Sequence, residues 1–255
     1  MGMEFIKELS YNDVSDNEDY FLDSIKNNKV LVVKNYNGDE SVIDYLKNYV
    51  KKFGQMVDSE EDLVSGKTTG AEFMEISYDP ADQNQYRTAK ASQPLHTDYS
   101  YISVDDNVQF LMCLKRAPIG GDTTFIDTRK LVKLLIFDNE MGLYNDLLSI
   151  PVVHLKGDRI KTHTILEVCN DDYKINWNYP PAMRADNTPE AKSLILNFKN
   201  WLDNRIEKSG LLTPVLLETN DTVFFHDYRV LHGRNSYFAK VKGDRRLVKG
   251  TLVFN

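Results

Sequence analysis

His96 and Asp98 stand two residues apart in the segment LHTDYSY. In an extended backbone, residues i and i+2 project from one face, so an imidazole and a carboxylate at this spacing can address one metal ion together. A helix would turn them apart. Alone, His-x-Asp says little in a chain with five histidines and 38 acidic residues, and a solvated turn satisfies the same pattern. A third ligand gives it content. His232, in DTVFFHDYRVLHGR, lies far along the chain on a strand-like segment entering a Gly turn. Two imidazoles and one carboxylate on one side of an octahedron leave three adjacent positions open, which suits Fe(II) and oxygen chemistry. A structural zinc site would instead close its shell. His226 competes for the third position, because six residues of regular strand would point it to the same face as His232. His154 in PVVHL and His163 in KTHT have no neighbouring carboxylate at ligand spacing, and core or loop roles are their default.

Such residues need a scaffold. Residues Asn17 to Lys29 (NEDYFLDSIKNNK) read as an acidic-started amphipathic helix, followed by the apolar strand VLVVKNY. Ser41 to Phe53 (SVIDYLKNYVKKF) repeats apolar residues every three or four positions and reads as a second helix. The N-terminus thus opens helix, strand, helix. From Ala71 the pattern changes to short β-branched and aromatic runs: EFMEISY, VQFLMCLKR, TTFID, PVVHL, KINWNY, PVLLE, DTVFFHD and RRLVKGTLVF. One long helix interrupts them at about Pro189 to Ser209, with Pro in its first turn and Gly210 past its last. Many short strands with few long helices predict an α+β, mainly β fold: a sandwich or barrel with helices packed outside. A length of 255 residues suits one domain. Residues 1–70 form an N-terminal helix/strand cap on a core of residues 71–255, which carries the helical insertion at about 189–209.

Composition narrows the partners. The chain is 42% hydrophobic and 27% charged, with a formal net charge of -7 and both signs interspersed. No basic face exists to neutralise nucleic-acid phosphates, so a small-molecule substrate is the expectation. No run approaches the ~20 apolar residues of a membrane helix, and Glu4 and Lys7 fall where a signal peptide would be apolar. Ile6 stands where myristoylation would need Ser or Thr. The expected location is cytoplasmic, without membrane association, and a homo-oligomer is compatible with the sequence. Cys113 and Cys169 cannot form a disulfide framework and read as buried reduced thiols.

Four blocks, QPLHTDYSY, CLKRAPIGGDTTFID, FFHDYRVLHGR and GDRRLVKG, together resemble the TauD/TfdA-like branch of the Fe(II)/2-oxoglutarate dioxygenases, which includes taurine dioxygenase and γ-butyrobetaine hydroxylase. The likeness runs from about Glu72 to Leu252. It implies a double-stranded β-helix (jelly roll, cupin-like) core with flanking helices. It implies Fe(II) held by His96, Asp98 and His232, with 2-oxoglutarate and O2 as cosubstrates. Thr123 and Arg246 match the residues that hold the distal carboxylate of 2-oxoglutarate. A dianion needs a fixed cation, and the planar fork of Arg can hold a carboxylate by two parallel hydrogen bonds. Arg245 would face the other way on a strand and is the less favoured anchor. Arg234 reads either as a support for His232 or as a surface salt bridge.

The implied reaction couples oxidative decarboxylation of 2-oxoglutarate, to succinate and CO2, with oxidation of a C–H bond. Hydroxylation is the default; desaturation or oxidative rearrangement shares its first step, and hydroxylation of a protein side chain is a further alternative. A catalytically silent ligand-binding member would keep the fold without the chemistry. Related halogenases have Gly or Ala in place of the carboxylate, so Asp98 argues against halogenation. Taurine dioxygenase grips sulfonate with an arginine four residues beyond its oxoglutarate arginine. Counted from Arg246 that position is Gly250, with Lys249 beside it, which argues against taurine. Candidate substrate residues are Tyr99, Tyr101, Met74, Glu75, Tyr179 and Arg184, with only one of Met74 and Glu75 able to face the pocket. Together they point to an amino-acid-like or other small carboxylated metabolite.

Overall fold

The computed structural model describes residues 3–38, 41–58, 62, 69–102 and 107–254. Among these, eleven strands build two facing sheets: β1 (Glu4–Ser10), β2 (Asn28–Lys34), β3 (Gly54–Met56), β4 (Phe73–Ser77), β5 (Gln93–His96), β6 (Asn107–Lys115), β7 (Thr123–Asp127), β8 (Thr213–Val215), β9 (Thr222–His226), β10 (Val230–Arg234) and β11 (Arg246–Phe254). The larger sheet runs β1-β2-β9-β6-β11-β3, with β4 also paired to β11; the smaller runs β8-β7-β10-β5. Only the β1–β2 pairing is parallel.

The apolar runs are continuous because the larger sheet is covered on both faces. Val30, Val32, Leu111, Cys113, Val223, Phe225 and Leu247 point inward, where they meet Phe125, Val215 and Val230 of the smaller sheet. From the opposite face Leu31, Phe110, Met112, Phe224 and Leu252 pack on Phe21, Ile25, Leu46, Tyr49 and Val50 of the helices Glu18–Asn27 and Val42–Val50. The smaller sheet is covered outside as well: Leu95, Ile126 and Leu231 join residues of the helices Thr128–Phe137, Met141–Ser149 and Pro189–Trp201. Each large apolar side chain so buried contributes about 1.5–3 kcal/mol. The result is a mainly β, α+β architecture of helices, large sheet, small sheet, helices.

The expected helices form with shifted ends. Asn17 caps the first by accepting the Tyr20 amide, and it stops at Asn27 because Asn28 and Lys29 already belong to β2. Ser41 and Thr188 cap the second and the long helix; the latter runs on as a π-helical turn over Leu202–Ile206. The opening order is corrected, since β1 precedes the first long helix and lies parallel to β2 at the sheet edge. Three helices join the long one after residue 71. Asp127 both ends the strand TTFID and caps the helix Thr128–Phe137 by accepting the Arg129 amide. The helix Met141–Ser149 follows it, and Tyr179–Arg184 carries Pro180 and Pro181 in its first turn, where proline is tolerated. No helix among the described residues is long and apolar enough to cross a membrane.

Candidate active site

β5 and β10 are antiparallel neighbours, and their register places His96 directly opposite His232. The two imidazole centroids are 4.2 Å apart. Asp98, just past the end of β5, reaches both: Oδ1 lies 3.7 Å from His96 Nε2, and Oδ2 lies 3.4 Å from His232 Nε2. One donor atom from each residue falls within 4.8 Å of the others. His96 Nδ1 donates to the Pro94 carbonyl at 2.9 Å, which leaves Nε2 as the acceptor, now 3.0 Å from the Gln93 amide. Burial first, and then the neighbouring His96, lower the His232 pKa to about 4, so its imidazole is neutral at physiological pH. Burial would raise the Asp98 carboxyl. Lys249, whose ammonium is 2.5 Å from Oδ2, together with His232 and His96, instead holds it well below the usual carboxylate range. Two imidazoles, that of His232 held neutral, and one ionised carboxylate are the donor set that fits a divalent first-row metal with open positions.

A second polar pocket lies further along the interior. Thr123 is two residues from Phe125 on the same face of β7, and Phe125 is opposite His232 in register. That places Thr123 roughly 7 Å along the strand from the metal ligands. Around it are Cys113, Gly121, Leu217, Leu247 and Arg245. Arg245 is buried and has no ion-pair partner among the described residues; it stacks on Tyr237 at 5.1 Å, and Nη2 is 3.5 Å from the Gly121 carbonyl. Burial and the nearby Arg234 lower its pKa to about 10, which still leaves it charged at neutral pH. Gly121 has φ +85°, and a Cβ there would lie 3.2 Å from Arg245 Nε. A buried guanidinium with no counter-charge beside a threonine hydroxyl fits the carboxylate of an acid such as 2-oxoglutarate.

Arg246 does not enter this pocket. It is exposed on the other side of β11 and pairs with Glu75 at 2.9 Å. This reverses the expected strand parity. Because β11 is apolar on both faces, alternation could not tell which arginine turns inward. Glu75 accordingly also points away from the site, while Met74, opposite Lys249 in register, falls on the inward side. Tyr99 and Tyr101 are buried beside the ligand segment, each with its hydroxyl engaged, Tyr99 by Thr251 Oγ1 at 2.8 Å and Tyr101 by Lys156 Nζ at 2.9 Å. Tyr179 packs on the outer cluster beside Trp177, and Arg184 is exposed at the end of its helix; the structure does not bring either to the triad. His226 is drawn off by the Ile25 carbonyl at 2.7 Å, across a turn that breaks the strand before His232. His154 and His163 stack on one another at 4.8 Å in the ribbon of Pro151–Lys156 and Arg159–Thr164. Sequence reasoning missed Lys249 as an inward cation, and it missed Asp227, a fully buried carboxylate that accepts the backbone amides of Asp98 and Tyr99. Arg234 is no surface salt bridge: it is buried, and its fork is spent on backbone carbonyls.

The model of the taurine catabolism dioxygenase TauD, TfdA family matches residues 6–252. The chain belongs to the TauD, TfdA family. Its His96, Asp98 and His232 cluster could hold a metal ion. Human gamma-butyrobetaine dioxygenase is 26% identical over 181 residues, 66% of this chain; the chain spans just under half, 46%, of that relative. Among solved structures, PvcB from Pseudomonas aeruginosa, described as an Fe, alpha-ketoglutarate dependent oxygenase, superposes with a TM-score of 0.69 at 15% identity, covering 98% of this chain and 86% of its own. AAD-2, solved with Mn(II) and N-oxalylglycine, gives a TM-score of 0.69 at 13% identity over 100% of this TauD, TfdA member and 97% of its own chain.

Proposed function

We propose that this protein is a single-domain Fe(II)/2-oxoglutarate-dependent oxygenase of small anionic metabolites, built on a double-stranded β-helix, and that hydroxylation is its reaction. The convergence of His96, Asp98 and His232, with the His232 imidazole neutral and the Asp98 carboxylate ionised, carries the reading. These three would hold the iron, while Thr123 and Arg245 would take the distal carboxylate of the cosubstrate. Iron and 2-oxoglutarate supply the oxidising power when bound; the protein's share is to position them and keep the pocket dry. Asp98 occupies the position that a halide would need. Phe125, Phe225 and Leu247 line the interior faces of both sheets and would help to keep water from the site.

Lys249 gives the substrate its charge. Counted from Arg245 rather than Arg246, the position four residues on is Lys249, and both side chains turn to the interior. Its side chain is 12% exposed, and its ammonium lies at the mouth of the triad. Beside its contact with Asp98, a desolvated cation there has a carboxylate or sulfonate as its natural partner, which reopens the sulfonate class that Gly250 argued against. A carboxylated amine, of the kind named by the gamma-butyrobetaine relative, suits it together with the buried tyrosines nearby. Anaerobic addition of Fe(II) and 2-oxoglutarate should give the weak visible charge-transfer band of the chelate, lost in His96→Ala and Asp98→Ala. Absence of the band in metal-loaded wild type would defeat the proposal. A succinate-release screen of amino acids, acylated amino acids and betaines, followed by product mass, then identifies substrate and outcome: one added oxygen for hydroxylation, two lost hydrogens for desaturation.

A further inference from the structure

We infer that Asp227 and Arg234 form a two-point clasp that sets the spacing of the metal ligands, and that metal affinity depends on it. The inference rests on reading His96, Asp98 and His232 as the metal site. Both residues sit on the hairpin that carries His232, Asp227 in the turn before it and Arg234 two residues after it on β10. Each reaches across to the other ligand segment. On one side, Asp227, fully buried, accepts the Asp98 amide at 3.0 Å with both oxygens and the Tyr99 amide at 3.1 Å. Its Oδ1 also lies 3.7 Å from His232 Nδ1, an atom with no hydrogen-bond partner among the described residues. On the other side, Arg234 donates Nη1 to the Tyr86 carbonyl at 2.8 Å and Nη2 to the carbonyls of Ala89 and Ala91 at 2.9 and 2.6 Å, just ahead of β5.

The chemistry is complementary. A carboxylate takes N–H groups after His96, and a guanidinium takes C=O groups before it. The strand ladder between them is weak: β5 and β10 pair at His232↔His96 and Arg234↔Gln93, with a register shift between the two. Backbone pairing this short and irregular does not fix an imidazole–imidazole–carboxylate spacing to the few tenths of an ångström that a metal demands. The buried side chains supply what the ladder lacks. Neither touches the position of the metal, so both are positioning residues. An ordinary fold-stabilising role would cost stability without altering the affinity of the protein that remains folded.

The test measures Mn(II) dissociation constants by competition with a chelator in the full chain, alongside the melting temperature of the metal-free protein. Asp227→Asn places an amide N–H₂ or a single oxygen against the Asp98 and Tyr99 amides, and Arg234→Lys keeps the charge but loses the fork. Both should weaken Mn(II) binding about 10–100-fold, the usual cost of removing a group that orients a ligand. His226→Gln, on the same hairpin but bonded to Ile25, should leave it within about two-fold. A fall in melting temperature with unchanged affinity would overturn the clasp. Wild type that binds no Mn(II) would overturn the metal reading and the clasp with it, whereas tight binding by wild type and both variants alike overturns the clasp alone. One measurement needs no variant: the Asp98 and Tyr99 amides of the metal-free protein should exchange slowly with deuterium, and fast exchange would refute the Asp227 arm even if Asp227→Asn does not fold.

Discussion

Arg245 and Arg246 are adjacent and chemically identical, and only the turn of β11 separates a buried cation from a solvated one. Truncating a buried charge that meets an opposite charge on a ligand costs about 2–5 kcal/mol. Arg245→Gln should therefore raise the 2-oxoglutarate dissociation constant by roughly 30-fold to several thousand-fold. Arg246→Gln loses only an exposed pair with Glu75, worth about 0–1 kcal/mol, and should stay within about five-fold. Titration of the Fe(II) chelate band measures both, and the opposite ranking would restore Arg246 as the anchor. The pair also marks where sequence legibility ends. His96 and Asp98 were readable because i and i+2 share a face in any extended segment, whatever the strand packs against. The two arginines were not, because Leu247 and Val248 are both buried, one toward the smaller sheet and one toward the opposite face, so no polar alternation records the parity. Asp227 stood in plain view in FFHDYRVLHGR, but nothing in one sequence says that its partners are backbone amides on a distant segment.

Elements are tied together by buried charge as well as by apolar packing. Lys29 of β2 is completely buried and pairs with Asp127 at 2.6 Å and Asp172 at 2.8 Å, which joins the larger sheet, the cap of the helix Thr128–Phe137 and the ribbon of Leu166–Cys169 and Asp172–Ile175. Lys29→Met would leave two buried carboxylates with only the half-buried Arg129, 3.3 and 3.8 Å away, as their cation and should cost about 3–5 kcal/mol in urea unfolding. A loss below about 1 kcal/mol would mean that the carboxylates find other partners. A sequence reading that ended a helix at Lys29 could not foresee this, because a lysine is expected outside unless paired. The His154–His163 ribbon gives a pH signature. Burial, and then His163, push the His154 pKa down to about 3, below the ordinary histidine value near 6.5. The unfolded chain therefore takes up a proton that the folded chain refuses. This contribution to stability is intact above pH ~6.5 and is lost toward pH 3, at up to about 1.4 kcal/mol per pH unit. Between pH 7.5 and 5 the stability of His154→Leu relative to wild type should improve by about 2 kcal/mol. A pH-independent difference would show that the imidazole is protonated without penalty.

At the scale of the molecule, the proposed ligands bridge the two sheets. His96, His232 and Thr123 belong to the smaller sheet, and Arg245, just before β11, joins Lys249 on the larger one. A metal alone engages one side of this interior. A dianion that reaches from the metal to Arg245 would connect both, and it would give the buried guanidinium the counter-charge that it lacks among the described residues. Ligands that bind only the folded state stabilise it by about 2.7 kcal/mol at a hundred times their dissociation constant. For a domain of this size each kcal/mol is worth roughly 2–4 °C in melting temperature. Mn(II) should therefore raise the melting temperature by about 5–10 °C, and 2-oxoglutarate should add several degrees more only after the metal is in place. The dependence on order distinguishes a shared site from two independent ones. If 2-oxoglutarate stabilises the metal-free protein as much as the loaded one, the cosubstrate is held without the metal and the path from the triad to Arg245 is wrong. In Arg245→Gln the Mn(II) increment should persist while the 2-oxoglutarate increment disappears, because that variant removes the far anchor and leaves the near one intact.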